Sequence, residues 1–345
     1  MAVADELRAR GASVSFLGTR NRVEAELIPS AGYELDFLSV LGIDRRNPLR
    51  AAAAITKAAG ATSTARRALR KRNADVVMGG GGFVAGPAGL AAVSLRIPLV
   101  LTEADSHIGL ANRLLASRAK RVCLAFPIPG REGDPYLLTG RPIPKPVLDA
   151  DRGAARDRFG IPADARCLLV IGGSQGARSI NGCVLAAFAS EGSGQPYVLH
   201  IAGRRDYPEL RARLDEAGGG AHYTMLEYEP NLGDCLAAAD LVLGRSGGSI
   251  FEVIAAGRPA ILVPYPFATG AHQASNAAWV ADQGAAIVVP DSDLEPARLR
   301  ELVAELLAPD GRLDEMSAAA RGAARPDAAM RIADEVLVAA GGADR

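Results

Sequence analysis

The sequence predicts an α/β protein of two doubly wound, Rossmann-like domains with a cleft between them. Short β-branched runs alternate with helical stretches along almost the whole chain, which is typical of parallel sheets covered by helices. Several of these runs lead directly into glycine-rich turns. A proline-rich segment divides the 345 residues into two parts, each long enough to bury a core of its own.

The predicted elements follow one another in a regular order. Residues 2–10 predict an amphipathic helix that Gly11 ends, and residues 14–17 predict a strand after it. Buried strands are predicted at residues 75–78, 98–101 and 121–124 of the first domain, and at residues 167–171, 197–201, 241–243, 260–263 and 286–289 of the second.

The proline-rich segment sets the domain boundaries. Pro142, Pro144 and Pro146 lie within five residues, and proline continues neither a helix nor a central strand. We therefore expect a first domain over residues 1–140, a linker over 141–150, a second domain over 151–325, and a final helix over 326–345 that packs back towards the first domain.

Composition narrows the class of protein. Lys plus Arg equals Asp plus Glu at 39 each, so net charge gives no reason to expect a nucleic-acid partner. The four cysteines are far apart and form no CxxC pair, which argues against a disulfide framework or a zinc site and favours a reducing cytosolic compartment: they are Cys123, Cys167, Cys183 and Cys235. Neither a signal peptide nor an apolar run of about 18 residues is present, so we expect a soluble protein that can still rest on a membrane.

The strongest local signal is a glycine-rich turn in the second domain. A buried strand ends at Ile171 and continues through GGSQG into a helix that begins near Ala177. Glycines let the backbone approach an anion, and a helix N-terminus presents N–H groups with a partial positive charge. Ser174 and Gln175 add side-chain donors, and Gly176 completes the turn. Taken alone, this turn is equally consistent with a tight connection that binds nothing.

Two further turns resemble the first. Gly247 and Gly248 follow a strand, and Glu252 lies in the first turn of the next helix, where a carboxylate bonds a ribose diol or simply complements the helix dipole. In the first domain, four consecutive glycines follow a strand and match neither the Walker pattern nor GxGxxG: Gly79, Gly80, Gly81 and Gly82. Anion-binding turns in both domains predict two phosphorylated ligands.

A basic segment stands out on this neutral protein. Residues 44–72 contain one acid, Asp44, and nine basic residues: Arg45, Arg46, Arg50, Lys57, Arg66, Arg67, Arg70, Lys71 and Arg72. Such a patch binds anionic lipid with about 1 kcal/mol per basic residue near the surface, although many charge runs are only solvated faces. RNA is the weaker alternative, because no aromatic residue is interleaved with the charges.

Candidates for catalysis follow a strand of the first domain. Glu103 and Asp105 lie just beyond the strand at 98–101, at the edge where ligands bind in such sheets, and His107 lies close by among polar residues. The two DxD triplets, at 149–151 and 291–293, each precede a helical stretch, so capping explains them and no metal is assigned.

Together, these segments resemble the MurG family of glycosyltransferases, which have the GT-B fold. The resemblance rests on the order and spacing of FLGTRNRVEAELIPSAGYELDFL, GGGGFVAGPAGLAA, GLANRLLA, VIGGSQGARSIN, RSGGSIFEVIAAGRPAILVPYP and HQASNA, and it covers nearly the whole chain. It implies inverting, metal-independent transfer of N-acetylglucosamine from UDP-GlcNAc to undecaprenyl-diphospho-muramoylpentapeptide, from lipid I to lipid II of peptidoglycan synthesis. It also implies a peripheral position on the cytoplasmic face of the cell membrane, with no tightly bound cofactor.

The resemblance also implies roles for residues. The donor-binding candidates are Ser174, Gln175, Gly176, Tyr228, Glu229, Gly248, Ser249, Glu252, His272, Gln273 and Asn276. Gly79 to Gly82 would belong to the acceptor diphosphate site, and the basic segment would hold the chain against anionic lipid. The family's proposed catalytic histidine lies on a GGTxGH loop that this sequence lacks, which leaves Glu103 as the retained candidate base and Asp105 or His107 as substitutes.

Departures from the family pattern leave specificity open. The family begins with a strand and the GGTxGH loop, and for this chain we expect a truncated gene with a late start codon. Thr102-Glu103-Ala104-Asp105 stands where the family has HEQN, and the linker Asn-Pro-Val-Arg becomes residues 141–144, RPIP. The alternatives are a related GT-B transferase with another lipid or metabolite acceptor, and a non-catalytic protein that binds a nucleotide sugar.

Overall fold

The computed structural model describes residues 1–40, 48–173, 176–190, 192, 195–268, 271–309 and 311–341, and for residues 48–57 it describes the backbone alone. The chain divides into two compact units. The first comprises Met1–Pro142 together with the described residues from Asp327 onward, and the second comprises Ile143–Pro326. Each unit is built of parallel strands and helices, so the predicted α/β class is confirmed.

The first unit contains two parallel sheets in its described part. A two-stranded sheet pairs β1 (Ser15–Gly18) with β2 (Glu34–Phe37). A four-stranded sheet has the order β3 (Val77–Gly79), β4 (Leu99–Glu103), β5 (Arg121–Leu124), β6 (Tyr136–Leu138). The helices before and between these strands are α1 (Ala2–Ala9), α2 (Glu24–Ser30), α3 (Pro48–Lys71), α4 (Gly82–Leu95) and α5 (Leu110–Leu115).

One apolar cluster lies beneath both of these sheets. Leu99 and Leu101 of β4 pack with Leu115 of α5, and Leu17 of β1 packs against the same cluster. Helix α4 approaches α5 closely because Gly89 has no side chain: a Cβ there would lie 2.4 Å from Cδ1 of Leu115. The two-stranded sheet is therefore attached through side-chain packing, since its strands pair only with each other among the described residues.

The second unit is one six-stranded parallel sheet. Its strands are β7 (Cys167–Ile171), β8 (Tyr197–Ile201), β9 (Tyr223–Leu226), β10 (Leu241–Gly244), β11 (Ala260–Leu262) and β12 (Ala286–Val288), in the order β12-β11-β10-β7-β8-β9. The helices are α6 (Lys145–Leu148), α7 (Arg152–Phe159), α8 (Arg178–Phe188), α9 (Tyr207–Glu216), α10 (Leu232–Ala238), α11 (Ile250–Ala255), α12 (His272–Asp282), α13 (Pro296–Leu307) and α14 (Leu313–Ala323).

This strand order creates a switch point at the centre of the sheet. The chain starts at β7, adds β8 and β9 on one side, and then returns to add β10, β11 and β12 on the other. The loops after β7 and β10 therefore start next to each other and run in opposite directions across the sheet. In sheets of this kind, ligands bind in the crevice between such loops, outside the carboxyl ends of the strands. The fold thus places the turns after Ile171 and Gly244 beside each other.

The last helix, α15 (Ala328–Gly341), belongs to the first unit. Its buried residues Ile332 and Val336 pack with Val3 and Leu7 of α1 and with Val100 of β4. Two ion pairs from neighbouring residues in the middle of α15 add to this contact, one between Arg10 and Asp334 and one between Arg121 and Glu335 at 2.9 Å. The chain therefore returns to its first unit after completing the second.

Candidate active site

The glycine turn after β7 forms the centre of the carboxyl edge of the second unit. Gly173 and Gly176 both have φ of +79°, a left-handed conformation that favours glycine. At Gly176 a Cβ would lie 2.5 Å from the carbonyl oxygen of Ala202, so no larger residue fits there without a shift. Ser174 and Gln175, two of the predicted donor-binding residues, lie outside the described residues.

A buried chain of polar side chains lies directly beneath this turn. The hydroxyl of Tyr223 is 2.7 Å from Nδ1 of His200, and Nε2 of His200 is 3.0 Å from Oδ1 of Asn181. Nδ2 of Asn181 donates to the carbonyl of Ala202 at 2.9 Å and approaches Oδ2 of Asp206 at 3.3 Å. Burial lowers the pKa of His200 to about 3, so this imidazole is neutral at physiological pH.

An arginine joins three of the loops at the same edge. Arg245, which follows β10, is ion-paired with Asp291, and its Nη2 donates to Oγ of Ser179 at 2.7 Å. Oγ of Ser179 in turn donates to Asp291 at 2.7 Å, and Arg245 also donates to the carbonyl of Val263 at 3.1 Å. The network connects the first turn of α8 with the segments that follow β10, β11 and β12.

The turn after β10 is supported by the beginning of α12. Oγ of Ser246 donates to the carbonyl of Gln273 at 2.7 Å, and Nδ2 of Asn276 donates to the carbonyl of Ser246 at 3.1 Å. Asn276 is buried, and its amide supports the turn after β10 from the interior of the unit. The side chain of Gln273 accepts from the backbone N–H of Tyr265 at 2.9 Å, and His272 is half-buried beside it.

A pocket of about 310 Å³ lies on the same unit. It is lined by Pro144, Pro146, Val147, Pro230, Asn231, Leu232 and Glu252. Glu252 comes from the first turn of α11, just after Gly247, Gly248 and Ser249, as the sequence pattern requires. The linker prolines therefore form one wall of this pocket, and the loop after β9 forms another.

The loop after β9 is held in place by an arginine on α7. Arg158 is ion-paired with the buried carboxylate of Glu229 at 2.6 Å and with Asp234 of α10. The other oxygen of Glu229 accepts from the backbone N–H of Asn231 at 2.8 Å. Tyr228 is 45 % exposed, and the guanidinium of Arg204 lies 4.7 Å from the centre of its ring. Glu229 thus braces its own loop, and Tyr228 presents its ring at the surface.

The candidate bases of the first unit have different environments. Glu103 is buried and its carboxylate accepts four N–H groups, those of Ala104 at 3.1 Å, Asp105 at 3.4 Å, Gly109 at 2.8 Å and the Asn112 amide at 3.0 Å. Its oxygens therefore hold the loop that leads into α5. Asp105 is half-buried and His107 is exposed.

The four-glycine turn and the basic segment also lie in this first unit. Gly79 ends β3, Gly80 follows it, and Gly81 and Gly82 lead into α4 with φ of +78° and +73°. Of the basic residues, Arg66 is half-buried, and Arg67, Arg70 and Lys71 are exposed. Arg72 is ion-paired with Glu34 and with Asp36, so its charge is already compensated. Arg45, Arg46 and the side chain of Arg50 lie outside the described residues.

Sequence reasoning missed several residues that organise these sites. None of the sequence patterns described above assigns a site role to Arg245, Asn181, Asp206 or His200. Arg245 carried a usable signal, because it directly follows a buried strand at the edge where ligands bind. A polar residue within the apolar run VLHIAG is a second signal, since a buried polar side chain requires partners.

In the part of the chain that the structure describes, no helix combines the length and apolar character that crossing a bilayer requires. Within the same residues, no group of three or more His, Cys, Asp or Glu side chains is arranged to hold a metal ion.

Comparison with known proteins identifies the class. The glycosyltransferase family 28 N-terminal domain matches residues 1–124, and the glycosyltransferase family 28 C-terminal domain matches residues 167–332. The crystal structure of Acinetobacter baumannii MurG superposes with a TM-score of 0.77 at 30 % identity, covering 98 % of this chain and 94 % of that one. A calicheamicin glycosyltransferase, CalG4, shares the fold at 19 % identity and a TM-score of 0.71. The fold is thus that of a GT-B glycosyltransferase.

The sequence relatives are more specific. The UDP-N-acetylglucosamine–N-acetylmuramyl-(pentapeptide) pyrophosphoryl-undecaprenol N-acetylglucosamine transferase of Moorella thermoacetica is 39 % identical over 338 residues, covering 95 % of this chain and 91 % of the relative. The enzyme of the same name from Halorhodospira halophila is 40 % identical over 335 residues, covering 96 % and 92 %. The chain belongs to the MurG family of glycosyltransferases.

Proposed function

We propose that this chain transfers N-acetylglucosamine from UDP-GlcNAc to undecaprenyl-diphospho-muramoylpentapeptide, the step from lipid I to lipid II. The observation that carries the proposal is the arrangement of the second unit. A nucleoside-sized pocket that contains Glu252 lies on the same unit as a glycine turn that precedes α8 at the switch point of the sheet. A nucleoside diphosphate needs a pocket of this kind and a backbone that can approach its phosphates.

The donor is proposed to lie along this sheet edge. The uracil would lie against the loop of Tyr228 and Glu229, and the ribose diol would bond to Glu252. The diphosphate would meet Gly176, Gly248 and Ser249, and the sugar would meet His272 and Gln273. Ser174 and Gln175 complete the proposed set. Asn276 would act through the turn that it supports, because its side chain is buried.

For the chemistry we propose an inverting displacement. The acceptor hydroxyl attacks the anomeric carbon, the bond to UDP breaks through an oxocarbenium-like transition state, and a base takes the hydroxyl proton. Glu103 already accepts four N–H groups, so we assign it to positioning the loop. Asp105 is then the first candidate for the base and His107 the second.

For localisation we propose a peripheral position on the cytoplasmic face of the membrane. Arg67, Arg70 and Lys71 are exposed basic residues at the end of α3. Phe83 and Leu90 of α4, a helix that packs against α3, are both about half exposed, and we propose that they belong to the same membrane-facing surface. A surface with both features binds anionic lipid more strongly than charge alone. The acceptor diphosphate would bind near Gly79 to Gly82 at the start of the same helix.

The test is a transfer assay with labelled UDP-GlcNAc and a lipid I analogue in vesicles. The chain is expected to produce the lipid II analogue with inversion at the anomeric carbon. Glu252→Gln is expected to raise the donor KM, whereas with a donor whose ribose lacks both the 2′- and the 3′-hydroxyl the wild type and the variant should have similar KM values. Donor binding without transfer to lipid I would contradict the assignment and favour another acceptor or a non-catalytic binding protein.

A further inference from the structure

We propose that Asn181 supports Gly172 and Gly176, the two ends of the glycine turn after β7 that is proposed to receive the diphosphate, and that His200 and Tyr223 hold Asn181 in the orientation this requires. All three are positioning residues: none of them is assigned a contact with the substrate. The inference rests on the proposed function, because it names the part of the donor that the turn receives. Its observable consequence is a loss of affinity confined to the diphosphate.

The side chain of Asn181 lies beside both ends of the turn. A Cβ built on Gly172 would lie 3.2 Å from Oδ1 of Asn181, and a Cβ built on Gly176 would lie 3.2 Å from Nδ2. The amide therefore fits between the two glycines, and it is only 1 % exposed. If this amide turned over or withdrew, the backbone at both glycines would lose the surface against which it lies.

The hydrogen-bond partners allow only one orientation of this amide. Nδ2 faces two oxygen atoms, the carbonyl of Ala202 at 2.9 Å and the carboxylate of Asp206 at 3.3 Å, and neither can donate. Oδ1 consequently faces Nε2 of His200, which must donate the hydrogen bond at 3.0 Å. A neutral imidazole has one donor and one acceptor, so Nδ1 accepts from the hydroxyl of Tyr223 at 2.7 Å.

Both ends of this chain are anchored. At one end, Tyr223 is a buried residue of β9, and His200 is a fully buried residue of β8. At the other end, Asp206 accepts from Arg205 at 2.7 Å, which lowers the pKa of Asp206 and keeps it an acceptor. The directed chain therefore runs from the interior of the sheet to the turn, and every link depends on the one before it.

The expected effect on ligand binding depends on the fraction of molecules in which the turn has its phosphate-binding conformation. A turn that loses its support spends less time in the shape that receives phosphate, and the measured Kd rises by the inverse of the competent fraction. The nucleoside is proposed to contact other segments, the loop at Glu229 and the helix that begins after Ser249. Among the described residues, the side-chain hydrogen bonds of Asn181, His200 and Tyr223 join these residues to one another and to Ala202 and Asp206.

The chain offers a matched pair of tyrosines for the test. Tyr223→Phe removes the hydroxyl that donates to His200. Tyr197→Phe removes the hydroxyl of another buried tyrosine, on the adjacent strand β8, which contacts the carbonyl of Phe159 at 3.0 Å and Oγ1 of Thr224 at 2.6 Å. Each change deletes one buried hydroxyl from the same sheet, but only the first interrupts the chain to the turn.

The affinities of UDP and uridine are measured for both variants and for Asn181→Ala by calorimetry, with uridine titrated in competition with UDP. Tyr223→Phe and Asn181→Ala are each expected to weaken UDP about tenfold or more and to leave uridine unchanged. Tyr197→Phe should change neither affinity. Equal losses in the two tyrosine variants, or equal losses of UDP and uridine in one variant, would overturn the inference.

Failure of the proposed function has a different signature. If the proposed donor site is wrong, the wild-type chain binds neither UDP nor uridine. If only the acceptor assignment is wrong, the wild-type chain binds UDP but forms no lipid II analogue, whereas failure of the inference alone leaves both wild-type binding and transfer intact. A second readout is independent of any ligand: side-chain ¹⁵N NMR should show His200 as the neutral Nε2–H tautomer between pH 5 and 8. An Nδ1–H tautomer or a protonated ring would overturn the proposed direction of the chain.

Discussion

Arg245, which follows strand β10, is ion-paired with Asp291, which lies beyond strand β12. Oγ of Ser179, in the first turn of α8, lies 2.7 Å from a guanidinium nitrogen of Arg245 and 2.7 Å from the carboxylate. The arginine side chain is 14 % exposed, so water screens this pair less than an ordinary surface pair. One side chain therefore sets the mutual positions of three loops at the proposed donor site.

Replacing Arg245 by lysine tests whether the positive charge of this residue is sufficient or whether its hydrogen-bond geometry is also needed. Lysine keeps the positive charge, but it cannot bond to Ser179, Asp291 and Val263 together, because it lacks the planar fork of donors. Lost bonds to charged groups are each worth about 1.5–3 kcal/mol, so we expect the donor KM to rise by roughly tenfold or more. Steady-state kinetics check this. Arg298→Ala is the control, because Arg298 forms an exposed ion pair with Asp293 at 3.7 Å, and it should change the donor KM little. An unchanged donor KM in Arg245→Lys would contradict the proposed role of Arg245.

Arg158→Gln should affect the nucleoside end of the donor. It leaves the buried carboxylate of Glu229 without its cation and loosens the loop that forms part of the pocket. We expect the affinities of UDP and uridine to fall by the same factor, about three- to tenfold, since the charge-assisted bonds of Arg158 to Glu229 and Asp234 are lost beside the proposed uracil site. Calorimetric titrations with UDP and with uridine measure the two affinities. Arg211→Gln, at an exposed pair with Asp215, serves as the control, and loss of UDP affinity alone would refute the assignment.

Two glycines near α8 should respond oppositely to alanine. Gly176→Ala introduces a Cβ 2.5 Å from the Ala202 carbonyl at φ of +79°, so we expect destabilisation of more than ~2 kcal/mol and weaker UDP binding. Gly182 lies within α8, with nothing within 4 Å of its Cβ position. There, alanine should stabilise the protein by about 0.5–1 kcal/mol, since it favours the helix. Urea unfolding measures the change in the free energy of unfolding for both variants. If alanine stabilised the protein at both positions, the residues around Gly176 would have moved to make room for the new Cβ.

Stability should fall in acid because of His200. Its folded-state pKa is about 3 against an ordinary 6.5, so between these values the unfolded chain binds a proton that the folded chain does not. The free energy of unfolding therefore decreases as pH falls from 6.5 towards 3, by up to ~1.4 kcal/mol per pH unit from this group. Denaturant titrations of wild type and His200→Gln isolate the contribution. If the free energy of unfolding had the same pH dependence in the wild type and in His200→Gln, the protonation of His200 would not change on unfolding.

The cysteines should be unreactive in the folded protein. All four are free and buried, and burial raises the pKa of Cys123, Cys167 and Cys235 to about 12 and that of Cys183 to about 11. Thiolates, which are the reactive form, are therefore scarce at neutral pH. A colorimetric thiol reagent should label the chain only after unfolding, and transfer activity should survive alkylating agents. Rapid labelling under native conditions would contradict the burial of these thiols.

Much of the fold was predictable because its signals are local. The continuous apolar run at Cys167–Ile171 and the apolar run at Tyr197–Ile201, which only His200 interrupts, predict strands buried on both faces, and the glycines after Ile171 mark the end of the first strand. Glu252 was placed correctly beside its turn, because a helix start after a strand has a recognisable pattern. The register and order of the strands needed the structure, since periodicity does not say which strands are neighbours.

The supports of the site were not predictable in the same way. Asn181, His200 and Tyr223 are 19 and 23 residues apart along the chain, and they meet only because β8 pairs with β7 on one side and β9 on the other. Glu103 shows the converse. Its place at the carboxyl end of β4 and the family resemblance make it a candidate base, whereas its carboxylate accepts four N–H groups from its own loop and from α5.

The sequence by itself determined the α/β class, the glycine turns and the family, because these depend on residue types at short and regular spacing. Tertiary structure alone decided which polar side chains hold those turns. Arg245 meets Asp291 across 46 residues, and Arg158 meets Glu229 across 71. The physical reason is that a buried polar group must find its partner wherever packing brings one, and packing is a property of the whole sheet.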